Sequence, residues 1–150
     1  MSNLSPWVLE RILLPAALYV AIVYLIRPLI LIHFRSRYSA TRGMEAFLGR
    51  FRLKHRALSF DNELDTLAAI QKRHAHAWGM AALGMASLSH CWQPISKGQV
   101  PWIFLGTALA ILYLHAWAMA SSAFAAQCFR VLEISSLETH FQRAGKAPLA

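Results

Sequence analysis

The sequence predicts an all-α integral membrane protein. Three transmembrane helices are joined by a basic cytoplasmic loop and a helical stalk, with the N-terminus out and the C-terminus in. Three observations carry this reading. Residues 12–32 form a hydrophobic run interrupted only by Arg27, and two more apolar runs cover about 76–92 and 101–129. Nine of the fifteen basic residues lie between the first run and the second: Arg35, Arg37, Arg42, Arg50, Arg52, Lys54, Arg56, Lys72 and Arg73. Basic loops stay on the cytoplasmic side, so this block sets the orientation.

Composition agrees. Hydrophobic residues make up 57 % of the 150, and mean hydropathy is +0.39. A soluble domain of this size does not need three runs that are apolar all the way round. The net charge is +8, and the 33–73 loop supplies five of those charges after its acids Glu45, Asp61, Glu63 and Asp65 are counted. Anionic lipid headgroups are the expected partner of this charge, at about 1 kcal/mol per Lys or Arg. Direct nucleic-acid binding is not expected, since no recognition motif accompanies the charge.

The first helix covers 12–32. Its 21 residues span about 31 Å, enough to cross the hydrocarbon. It is read as a retained span and not a cleavable signal, because residues 1–6 carry no basic n-region and no cleavage site follows the long run. Trp7 falls at interfacial depth. Pro15 falls in the first turn, where its missing N–H costs little. Pro28 should kink the helix. Arg27 has two open readings: it snorkels to the cytoplasmic headgroups, or it forms a buried ion pair with an acid on a partner.

The loop contains a basic amphipathic segment over 44–58. Met44, Phe47, Leu48, Phe51 and Leu58 share one face. Arg50, Arg52, Lys54 and Arg56 project mostly from the other and are the expected lipid-facing bases. A cytoplasmic helix packed on the protein's own surface is the other reading. Asp61 reads as an N-cap, with acids in the next turn and bases further on, as the helix dipole favours. No breaker separates it from Trp92 before Gly79, so one long helix is expected, a stalk at 61–73 and a membrane part at 75–92.

That membrane part is rich in Ala, Gly and Ser. Ala75-Gly79, Ala77-Ala81 and Ala82-Ala86 are small-xxx-small pairs, which let backbones approach closely in lipid. Gly79, Ala82 and Ala86 are the expected helix-packing interface. Residues 93–100 form a turn-rich hairpin on the periplasmic side, with Lys97 its one base. A third helix runs from Trp102 to about Phe129, and a cytoplasmic tail follows. The segments are therefore 1–32, 33–73, 74–130 and 131–150. Cys91 and Cys128 fall at opposite membrane faces, which excludes a disulfide between them. Both read as small buried side chains.

Seven histidines are the candidates for a cofactor site. His76 lies 16 residues before Trp92 and His115 lies 14 after Pro101, roughly 24 Å and 21 Å of helix from the same face. The matched depths admit a b-type haem between two imidazoles. The competing reading gives His115 a hydrogen bond to Ser or Thr on a neighbouring helix. No zinc-ligand spacing is present. No phosphate loop, nucleophile elbow, HExxH or intramembrane carboxylate pair suggests catalysis or transport, and the chain is not expected to be an enzyme.

The order of features from 60 to 150 resembles one family. An acid-capped stretch (DNELDTLAAIQKR) leads into a two-span hairpin joined by ISKGQ, and a helix leaves the membrane as AFAAQCFRVLEISSLETHF. This layout is similar to the small IcmV/TraX-type component of type IVB secretion and IncI-type conjugation systems. The first helix with Arg27-Pro28 has no counterpart in it. The resemblance implies a multi-pass protein of the bacterial inner membrane. It would be a non-catalytic structural subunit of a hetero-oligomer, bound to a larger polytopic protein, with no cofactor. The rival expectations are a haem b-bearing membrane anchor of a quinone-linked redox complex, using His76 and His115, and a small homo-oligomeric channel.

Overall fold

The computed structural model describes residues 8–55, 62–99 and 101–143. They are helical apart from short connections at 38–40, 97–99 and 101. A π-helical turn, Leu9–Leu13, leads into α1, Leu14–Arg37; α2 is Thr41–His55, α3 is Asn62–Ser96 and α4 is Trp102–Arg143. The chain forms two compact units, one from 1–30 with 74–120 and one from 31–73 with 121–150.

Two stretches, Arg11–Arg37 and Trp102–His140, are long and apolar enough to cross a membrane. In their most apolar windows only 11 % and 33 % of residues are buried, which is little for the core helices of a water-soluble protein. The expected third span does not meet the same criterion. Its Ala, Gly, Ser and His content dilutes the hydropathy of α3 below that of α1 and α4.

Three helices build the first unit, and their register follows from five contacts. Gly84 packs on Leu112, His90 lies beside Phe104, and the Ala77 carbonyl meets His115, so α3 runs antiparallel to α4. The Ser89 hydroxyl donates to the Arg11 carbonyl at 2.9 Å, while Tyr19 reaches His115. Hence α1 runs antiparallel to α3 and parallel to α4. Leu88, Ala108 and Leu112 form the core, with Leu18, Tyr19, Ile22 and Leu105 against it.

Pro15 explains the start of α1. It has no N–H for the Arg11 carbonyl, four residues earlier. The backbone widens instead into the π-turn, and Leu14 N–H bonds to the Leu9 carbonyl. The freed Arg11 carbonyl is the one that Ser89 satisfies. The expected low cost of the missing Pro15 N–H is thus accompanied by the π-turn and an interhelical bond.

The 93–100 hairpin is shorter than expected. α3 continues through Pro94 to Ser96, and the turn follows at Lys97 and Gly98. Gly98 takes φ +74°, a left-handed helix end that favours glycine, and its N–H bonds to the Ile95 carbonyl.

The second unit has an aromatic core. Phe34 and Phe124 stack at 5.7 Å between ring centroids, and Phe47 meets Phe124 edge-on at 4.9 Å. Phe51 and Tyr38 extend the cluster through Phe47. Phe47, Leu48 and Phe51 are buried there. The apolar face of α2 is thus spent on the protein itself, and the reading in which it lies on the inner leaflet is corrected to the packed one. α4 continues as helix to Arg143, where a tail was expected from 131. The single long helix expected up to Trp92 is present and unbroken as Asn62–Ser96, ending four residues later than read, while Asp61, Trp7, Arg56 and Leu58 lie outside the described residues.

Candidate functional site

His115 is the buried polar centre of the first unit, with 1 % of its surface exposed. Its Nδ1 lies 2.7 Å from the Ala77 carbonyl oxygen and its Nε2 lies 2.7 Å from the Tyr19 hydroxyl. A carbonyl oxygen only accepts, so Nδ1 carries the proton and donates. Neutral imidazole then has a bare Nε2, which accepts from the Tyr19 O–H. One side chain from α4 therefore ties to both α1 and α3. The partners are a tyrosine and a backbone carbonyl, not the Ser or Thr expected.

His76 does not join this centre. It is exposed on α3, while its neighbour Ala77 turns inward with no exposed surface. With both nitrogens of His115 engaged and His76 directed elsewhere, the two imidazoles do not form a facing pair. The residues do not fit a haem held between them.

The small residues of α3 divide into two sets. Ala77, Ala81 and Gly84 face inward. A Cβ added to Gly84 would come within 2.7 Å of Leu112 Cδ2, so glycine is what lets α3 and α4 approach here. Gly79, Ala82 and Ala86 are all exposed, and a Cβ built on Gly79 would meet nothing within 4 Å. At 3.6 residues per turn these three share one face, roughly opposite the inward set. Around them are exposed Trp78 and Leu83.

Arg27 keeps a buried Nε with no hydrogen-bond partner among the described residues. No acid from the described residues reaches it. Asp65 Oδ1 and Arg73 Nε, both in the second unit, are likewise buried without a partner among the described residues. Burial also lowers the Arg73 pKa from its ordinary value.

The expected lipid-facing bases separate. Arg50 and Lys54 are exposed and Arg52 is half-buried. Arg50 donates from Nε to the Ala46 carbonyl at 3.3 Å, and its guanidinium lies 5.6 Å from the Tyr38 ring centroid. Cys91 and Cys128 are buried free thiols, as read.

Sequence reasoning missed Tyr19, Ser89 and the Phe34–Phe47–Phe124 cluster. Pro15 four residues after Arg11 was a legible signal for a freed carbonyl. Nothing local marked Tyr19. Comparison of the chain with protein-family models, with curated proteins and with solved structures finds no match.

Proposed function

We propose that this chain is a non-catalytic accessory subunit of a bacterial inner-membrane assembly, docked through α3 on a larger polytopic membrane protein. One observation carries the reading: the exposed Gly79–Ala82–Ala86 face on a helix of modest hydropathy. Lipid gains little from such a face, whereas another helix can approach it closely. Arg27 adds a cation that an acid on the partner would satisfy.

The helix directions support a three-span reading once α1 and α4 are taken to cross. The two run parallel in the first unit, which calls for a return between them, and α3, antiparallel to both, suits that role. Charge then orients the protein. The segments 31–73 and 121–150 hold twelve of the fifteen basic residues and belong on the cytoplasmic side. The layout of 60–150 favours a secretion or conjugation machine as the assembly.

The test replaces Gly79 and Ala82 with Leu. The variant should insert normally and lose the larger subunit found by mass spectrometry with the tagged wild-type chain. Undiminished co-purification would refute this docking face. Recovery of nothing but further copies of this chain would replace the hetero-partner by self-association.

A further inference from the structure

The second unit contains a cleft of about 510 Å³ between the end of α1, the start of α2 and one face of α4. Its volume lies within the usual range for small-ligand sites. Arg35 and Arg130 line it and no carboxylate does. The rest of the wall is largely apolar, with Met44, Phe124 and Val131 the side chains that matter here. Phe124 is buried, but Val131 is 43 % exposed, so part of this apolar wall has no cover from the described residues.

The two arginines are available to an anion. The Arg35 guanidinium donates from Nε and Nη2 to Gln127 Oε1 at 3.4 and 3.3 Å. These are long bonds, which steady the side chain without using all five of its N–H groups. Arg130 has no hydrogen-bond or ion-pair partner among the described residues. Arg35 also follows Ile32, the last residue of the apolar run, by three positions, about 4.5 Å of helix. In a spanning α1 that is headgroup depth.

We propose that this cleft binds one anionic phospholipid, its phosphate on Arg35 and Arg130 and an acyl chain along Met44, Phe124 and Val131. A free phosphate would satisfy the arginines and leave the apolar wall bare. A neutral lipid would cover the wall and leave two cations without a counter-charge. The cytoplasmic leaflet supplies a ligand with both properties. The inference rests on the membrane reading of α1 and α4 and is independent of the docking partner.

The experiment titrates delipidated full-length protein in mild detergent with phosphatidylglycerol, with phosphatidylcholine and inorganic phosphate in parallel. Phosphatidylglycerol should bind saturably at one per chain. R35Q/R130Q should weaken it about ten-fold or more. R42Q/K54Q removes the same charge from exposed positions outside the cleft and should change it less than about two-fold. V131W should weaken phosphatidylglycerol with every charge intact, which keeps the test alive if the arginine variant loses helicity. Equal loss in the two charge variants, equal binding of phosphatidylcholine, or displacement of the lipid by inorganic phosphate would each overturn the site. Alkaline carbonate extraction of wild-type membranes separates the two failures. A chain released by carbonate sinks the membrane reading along with the site. A retained chain with no saturable binding sinks the site alone.

Discussion

The two units of this chain are held together by different means. In the first, the closest contacts involve small residues and backbone: Gly84 against Leu112, Ser89 on a freed carbonyl, His115 between Tyr19 and Ala77. Its segments contain only three basic residues, Arg11, Arg27 and Lys97. In the second, Phe34, Phe47, Phe51 and Phe124 fill the core, and twelve bases surround it in sequence. Under the proposed membrane reading, the contrast would suit two solvents. Where the medium is as apolar as the side chains, helices associate through close approach and hydrogen bonds. Where it is water, large rings are worth burying for their area.

The contrast can be broken most forcefully at Phe124. F124A empties the centre of the aromatic cluster and should cost about 3–5 kcal/mol. Limited proteolysis should then cut within Thr41–His55 while 77–91 and 104–115 stay protected. Simultaneous loss of protection in both would mean that the units do not unfold separately.

At His115 the comparison is sharpened. H115A removes two interhelical hydrogen bonds and leaves a cavity, at a cost of about 2–3 kcal/mol in mixed-micelle unfolding. Y19F should cost about 0.6–1 kcal/mol, and adding it to H115A should cost nothing further, because the bond it removes is already gone. Full additivity would contradict the Tyr19–His115 bond.

The smallest effect separates the two glycine environments. G84A forces Leu112 to move and should cost about 1–2 kcal/mol by the same measurement. G79A, in open space, should stay within about 0.5 kcal/mol of wild type. Matching losses would show that both faces of α3 are packed within the isolated chain.

Much of the helix order was legible because length and hydrophobic runs are local properties. The long helix leading to Trp92 and the run beginning at Trp102 could be read directly. The aromatic core could not: Phe34 and Phe124 are ninety residues apart, and only the fold brings them together. Met44, Phe47, Leu48 and Phe51 showed an amphipathic helix, yet periodicity does not say whether lipid or protein covers the face. For the site, the sequence marked His115 by its depth but gave no means of pairing it. The matched depths of His76 and His115 were right in kind and insufficient, since depth fixes one coordinate and the rotation of α3 fixes the other. The two sets of small residues on α3 looked equivalent in sequence because spacing does not tell which face a neighbour will occupy.

The narrow gap at Gly84 bears on how such a protein is made. If α3 is a span, a nascent chain presents it to the membrane before α4 has been synthesised. In the three-span reading, a segment so poor in Leu and Ile has little reason to leave the aqueous channel unaided. It must wait for the strongly apolar α4 and enter with it as a folded-back pair. Glycine at position 84 then governs assembly as well as stability, because a pair that cannot close leaves its first member stranded at the surface.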